Sequence, residues 1–222
     1  MLVYHCSLES RGFFSKTDRQ PSGGGTVASQ YLHDLTLNFA FYASLKNFSH
    51  SLPETPQYLE NLQYFFKNLP TYVYPTAISS GFIASETLNT LTENRGMPAI
   101  GNQDNVPKKD VWTGYKRFSA ETTVLSDIAL PAKFYLRLGK KRALVLVNLE
   151  EVNPKVINDE RDVGIISPIM HAGLVYTSGT LIRINPSPLY IGKVRGRHIL
   201  YQINGRHICK PLQFRYFGTL NA

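Results

Sequence analysis

The chain opens on MLVYHCSL, where Leu2, Tyr4, Cys6 and Leu8 alternate with Val3, His5 and Ser7. A period of two sends successive side chains to opposite faces of a strand, so this stretch predicts a first β-strand with one buried face. The loop that follows ends in Ser22-Gly23-Gly24-Gly25. It lacks the lysine and the spacing of a phosphate-cradling P-loop and reads as a hinge or a disordered loop. From Ser29 the period changes: in SQYLHDLTLNFAFYASL, Leu32, Leu35, Phe39, Tyr42 and Ala43 recur at steps of three and four. That spacing predicts a helix, and Leu37 and Phe41 widen its apolar surface, so it packs on more than one side. A second helical stretch, PETPQYLENLQYFFKNLP, starts near Pro53 and must stop by Pro70.

TYVYPTAI reads as a short strand. Residues 86 to 116 then lose periodicity and are polar, with Gly96, Pro98, Gly101, Pro107 and Gly114. A loop this long inside a compact domain is usually functional. It is read as an excursion from the sheet, a hairpin with a mobile tip. RFSAETTVLS, AKFYLRL and KRALVLVNL are three strand candidates in succession, the last two joined by the basic connection Gly139-Lys140-Lys141. An acidic stretch with Pro and Asn runs from Glu150 to Asp162, and everything after it is β in character. HILYQI-NG-RHICKPL is the clearest hairpin, because Asn204-Gly205 suits the positive φ angles of a two-residue turn. There is no internal repeat.

Composition sets bounds on this outline. At 222 residues, 43% hydrophobic and 18% charged, the chain is globular and long enough for one large domain or a compact domain with an extension. The longest strictly aliphatic run, Ala143 to Val147, is far short of a membrane span. MLVYHCSLES has neither the charged start nor the apolar run of a signal peptide. A cytoplasmic location away from the membrane is therefore expected, with Cys6 and Cys209 as buried, reduced thiols.

Charge is distributed unevenly. From Val163 to Ala222 there is no acidic residue, while Arg183, Lys193, Arg195, Arg197, Arg206, Lys210 and Arg215 all fall there. The acids are all in the first 162 residues, so most of the net charge of +8 belongs to the tail. Such an asymmetry suits a polyanionic partner.

Three basic clusters sharpen this. In VWTGYKRFS, Trp112, Tyr115 and Phe118 interleave with Lys116 and Arg117, and Lys108 and Lys109 lie just upstream. Rings stack on bases while cations neutralise phosphates, which is what a groove for single-stranded nucleic acid requires. The structural alternative is that Trp112 and Phe118 anchor the excursion to the core. Lys133, Arg137, Lys140, Lys141 and Arg142 form the second cluster, with no acid between Asp127 and Glu150. In a strand Lys133, Arg137 and Lys141 share a face and could track phosphates along a sheet. GKVRGR is the third, where Lys193, Arg195 and Arg197 alternate onto one side.

Catalytic constellations are poor. His33-Asp34 invites comparison with metal-dependent HD phosphohydrolases, but the further ligands are missing and a satisfied core histidine is preferred. Glu150, Glu151, Asp159, Glu160 and Asp162 read as a hydrated acidic loop. No metal site and no cofactor is expected. His198 and His207 flank the Asn-Gly turn and could face each other across the hairpin, with Tyr201 nearby. They are the one imaginable acid–base set for RNA cleavage, and cross-strand packing is the preferred reading.

The early strand leading through a loop into YLHDLTLNFAFYASL, TYVYPTAI before a long polar excursion, and YKRFS followed by FYLRLGKKRALVLV together resemble the Csc-one family. These are the Cas-five-type subunits of type I-D CRISPR Cascade complexes. The resemblance covers most of residues 1 to about 150, and the tail matches in layout more than in motif. It implies an α+β fold: a ferredoxin-like, RNA-recognition-like core over 1–150 with a thumb-like hairpin at 86–117, and a basic β-rich extension over 151–222. It also implies a subunit that caps the 5′ handle of the guide RNA and contacts the neighbouring backbone subunit and the large subunit near the PAM, with target DNA there as a further candidate partner. A separate ribonuclease matures the guide in such systems, so no catalytic residue is implied. The glycine-rich loop common in related RNA-binding proteins is not evident near the C-terminus, where GKVRGR is the substitute.

The expected function is thus a non-catalytic RNA-binding subunit. The alternatives are an endoribonuclease using His198, His207 and Tyr201, or a structural protein whose basic tail meets acidic partners.

Overall fold

The computed structural model describes residues 1–14, 28–46, 70–89, 109–139, 143–159, 163–164, 170–171, 177–182, 189–194, 198–203 and 206–209. The second helical stretch expected over 53–70 lies outside the described residues, apart from Pro70 itself.

β1 (Leu2–Ser10) follows the alternation of its sequence, with Tyr4, Cys6 and Leu8 at 4%, 0% and 0% exposure. β2 (Tyr31–Leu32) takes the residues just before the helix, pairing them with Ala77 and Thr76. α1 (Asp34–Lys46) therefore starts five residues later than the periodicity of SQYLHDL suggests. The His33 carbonyl accepts the first helical hydrogen bond, from Leu37 N–H at 3.0 Å, and Asp34 Oδ1 accepts from Leu35 N–H at 2.8 Å. An acid in the first turn and Lys46 in the last complement the helix dipole. As expected, α1 is buried on more than one side. Leu37 and Phe41, which widen the stripe, are fully buried, whereas Ala43 is exposed.

The stretch expected as one strand, TYVYPTAI, is divided into β3 (Thr71–Val73) and β4 (Thr76–Asn89). Pro75 has no N–H to give to a ladder, which explains the division. Side chains close the gap: the Thr122 hydroxyl donates to the Tyr74 carbonyl at 2.7 Å, and the Thr76 hydroxyl to the Glu121 carbonyl at 2.6 Å. β5 (Lys109–Ser126) is longer than RFSAETTVLS and pairs with β4 over the whole of that strand's outer half. The excursion expected to be irregular over 86–116 thus has two paired arms, Glu86–Asn89 and Lys109–Tyr115, belonging to a long antiparallel hairpin.

β6 (Lys133–Leu138) and β7 (Ala143–Glu151) complete a seven-stranded antiparallel sheet. Its order is β2-β4-β5-β1-β7-β6, with β3 also on β5. β1 is central, between β5 and β7. One face of this sheet carries the core: Tyr4, Cys6, Leu8, Phe118, Val124, Phe134, Leu136, Val145 and Val147 pack against Leu37 and Phe41 of α1. The Phe41 and Phe134 rings meet edge to face at 5.3 Å.

Asn38 fixes α1 onto the sheet. Its amide donates to the Val73 carbonyl and accepts from the Val73 N–H, both at 2.9 Å. A mid-helix asparagine is ordinarily unfavourable, but here it completes the open edge of β3. Beside it, the Tyr72 hydroxyl donates to Asp34 Oδ2 at 3.0 Å, and His33 Nδ1 lies 2.7 Å from Asp34 Oδ1 with both residues fully buried. The His33-Asp34 pair is therefore a satisfied core element.

The remaining strands form two smaller sheets. β8 (Lys155–Asp159), within the stretch expected as an acidic loop, joins β13 (His198–Ile203) and β14 (Arg206–Cys209) in the order β14-β13-β8. β9 (Val163–Gly164), β10 (Met170–His171) and β11 (Thr177–Ile182) pair with β12 (Leu189–Val194). Ile203 pairs with Arg206, leaving Asn204-Gly205 as a two-residue connection.

Candidate nucleic-acid interface

Phe82 pairs with Arg117 and Ile83 with Tyr115, so Lys116 has no partner on β4: it is the extra residue of a β-bulge. The bulge resolves an apparent conflict in the sequence. In a regular strand Tyr115 and Phe118 would point to opposite faces, and so would Lys116 and Arg117. With one residue inserted, both rings turn inward, at 5% and 4% exposure, and both cations turn to solvent.

The rings are used in packing. Phe118 lies edge to face with Phe14 at 5.0 Å and 6.4 Å from Tyr115. Tyr115 is therefore corrected from a base-stacking candidate to a core residue that sets the root of the hairpin, because its ring is covered by protein. The backbone there is crowded. Phe14 and Tyr115 exchange two 2.8 Å hydrogen bonds, pinning the chain after β1 across β5. A side chain at Gly114 would meet the Phe14 carbonyl oxygen, and one at Gly81 would begin 2.5 Å from the Tyr115 ring, so both positions must be glycine.

This crossing makes a groove of about 870 Å³. Arg11, Lys116 and Arg117 bring three cations to its lining, Phe13 and Phe82 bring two rings, and Glu9 a carboxylate. Phe82 is 67% exposed, unusual for a phenylalanine and available for stacking.

Register extends the groove into a row across the sheet. Arg11 N–H donates to the Leu144 carbonyl at 2.7 Å, and Leu144 pairs with Arg137. On the other side, Glu9 pairs with Ser119, two residues from Arg11 and Arg117 respectively, and those two arginines line the same groove. Arg117 in turn pairs with Phe82. Phe82, Arg117, Arg11, Leu144 and Arg137 therefore lie side by side on the face away from α1, and all five are exposed. At the usual strand spacing the row is roughly 19 Å long.

β6 carries the expected alternation. Lys133, Tyr135 and Arg137 are exposed while Phe134, Leu136 and Leu138 are buried. Tyr135, 49% exposed between two cations, is a second ring on this face. Arg11, Phe13, Phe82 and Tyr135 were not singled out by sequence. The signal for the first two was present in Arg11-Gly12-Phe13-Phe14, a cation beside rings, directly after the first strand.

The other expected contacts are described only in part or not at all. Lys109 and Trp112 lie in the arm of β5, level with Asn89 and Glu86, and their side chains are outside the description. Lys193 lies in β12 opposite Ser178 and Gly164. Lys108, Lys140, Lys141, Arg142, Arg195 and Arg197 lie outside the described residues.

Residues 1–219 match the family model described as Type I-D CRISPR-associated protein Cas5/Csc1. The chain belongs to that family. No curated protein matches it. Membership in the Cas5/Csc1 family makes the chain a type I-D CRISPR-associated protein, consistent with a Cascade subunit. Among the described residues, no helix is long and apolar enough to cross a membrane.

The backbone register of this Cas5/Csc1 chain does not set the two histidines opposite each other. His207 pairs with Gln202, whereas His198 stands opposite Asp159 on β8. His207 on β14 is therefore level with Gln202, four residues along β13 from His198, about 13 Å, so the two do not face each other across the hairpin. Tyr201 pairs with Ile208 and Val156.

Proposed function

We propose that the protein is a non-catalytic RNA-binding subunit of a type I-D Cascade effector that caps the 5′ handle of the guide RNA. The observation that carries this reading is the exposed row Phe82–Arg117–Arg11–Leu144–Arg137, with its groove at one end. Three guanidiniums at strand spacing can follow a phosphate backbone, and an exposed ring beside them can take an unstacked base. RNA is sequence-specifically held in this way when it is single-stranded, as a handle is.

The connectivity supports a ferredoxin-like core. β1, α1, β4, β5 and β7 give the strand order β4-β5-β1-β7 with the helix on one face, and the opposite face is the one RNA-recognition modules use. The β4–β5 arms serve as the thumb towards the backbone subunit. Residues 151–222 form the basic extension, towards the large subunit and the PAM.

The test is photo-crosslinking of guide RNA inside the assembled effector. Crosslinks from 5′-end nucleotides to peptides containing Phe82 or Tyr135 are expected, and purified protein should leave labelled repeat RNA intact. Crosslinks from the 3′ end alone, or metal-independent cleavage lost in His198→Ala, would overturn the reading.

A further inference from the structure

Glu9 is chemically out of keeping with its surroundings. It lines the same groove as Arg11, Lys116 and Arg117. Yet it is exposed and forms no ion pair with them. A carboxylate repels phosphates, so a groove that only gripped a backbone would do better without it. Its register is fixed on both sides, by Ser119 on β5 and Leu146 on β7, one row in from Arg11 and Arg117. A phosphate held by those two arginines therefore brings its nucleoside over Glu9, with Phe82 across the groove as the stacking ring.

An ionised carboxylate only accepts hydrogen bonds, so it can select only a base edge that donates. Its two oxygens suit two parallel donors, as they do in pairing with guanidinium. Guanine alone carries two adjacent donors on its Watson–Crick edge, the N1–H and the 2-amino group. Adenine and cytosine offer an amino group only, and uracil an imino hydrogen only.

We propose that Glu9 gives the groove a preference for guanine in single-stranded RNA, its carboxylate accepting both donors while Arg11 and Arg117 hold the flanking phosphates. This rests on the RNA-binding reading above. Glu9 is then a specificity-determining residue, and the groove reads one base as well as gripping a backbone.

Full-length protein is titrated with oligouridine and with the same strand carrying one guanine, inosine, adenine or cytosine. The guanine strand should bind about tenfold more tightly than oligouridine, with inosine, which lacks the 2-amino group, in between. Glu9→Gln, at an exposed position, should erase that preference while the other strands bind as well as before or better. An unchanged preference in Glu9→Gln, or uniform tightening on every strand with no preference to lose, overturns the proposal and leaves RNA binding standing. No binding to any strand overturns the RNA-binding reading itself.

Discussion

Tyr115 and Phe118 are three residues apart on β5, and both are buried, their ring centroids 6.4 Å apart. A strand of period two cannot do this unless one residue between them is removed from the register, and Lys116 is that residue. The same step that sends two rings to the core sends two neighbouring cations to the surface.

Lys116 thus has a spatial role separable from its charge. Lys116→Ala should leave stability within about 0.5 kcal/mol, as exposed substitutions do, while weakening RNA binding. Deleting Lys116 restores regular alternation and forces either Tyr115 or Phe118 out of the core, which should cost about 3–5 kcal/mol. Urea denaturation of the two variants distinguishes these outcomes, and equal stabilities would refute the bulge's role.

Phe82 should contribute to binding without contributing to folding. With two-thirds of its surface exposed, Phe82→Ala should barely change the melting temperature. If a base stacks there, the same change should weaken RNA affinity by about 1–3 kcal/mol and leave the salt dependence untouched. Affinity equal to wild type would remove Phe82 from the interface.

The crossing of Phe14 over Gly114 leaves no space for a methyl group. Gly114→Ala should separate the Phe14–Tyr115 hydrogen bonds, cost about 1–3 kcal/mol, and open the groove. A thermal melt of Gly114→Ala beside Gly12→Ala, where nothing stands within 4 Å, gives the comparison. Similar melts for the two would count against the close approach.

Two buried groups predict alkaline sensitivity. Burial, reinforced by the Asp34 carboxylate, holds the Tyr72 phenol well above its ordinary range, and burial likewise raises the Cys6 thiol. In the native chain both stay protonated where the unfolded chain ionises, above about pH 8.5 for cysteine and about pH 10 for tyrosine. Raised folded values mean that stability is fully present below those points and falls above them, by about 1.4 kcal/mol per pH unit for each group. Denaturation midpoints measured from neutral to strongly alkaline pH should therefore decline, and Cys6→Ala should flatten the first part of the decline. A midpoint independent of pH would contradict both assignments.

The local features of the fold were legible in the sequence. Tyr4, Cys6 and Leu8 declared β1, Leu37 and Phe41 declared a broadly buried α1, and Lys133 and Arg137 declared the exposed face of β6. Asn204-Gly205 declared a two-residue connection. What a linear reading could not supply was lateral register. Arg11, Arg117 and Arg137 are brought onto one face by β1 pairing with β5 and β7 and by β7 pairing with β6, and no local pattern encodes that. The bulge at Lys116 likewise depends on Phe82 and Ile83, more than thirty positions away. Tyr115 was misassigned for this reason, since its aromatic–basic context looks the same whether the ring faces solvent or core.

The most direct test is the salt dependence of single-stranded RNA binding by wild type and by Arg11→Ala/Arg117→Ala/Arg137→Ala. Each arginine that neutralises a phosphate contributes about 0.7 to the slope of log affinity against log salt, so the triple variant should lose about 2 units of slope. Wild-type slope and affinity in that variant would contradict an RNA path along this face of the sheet.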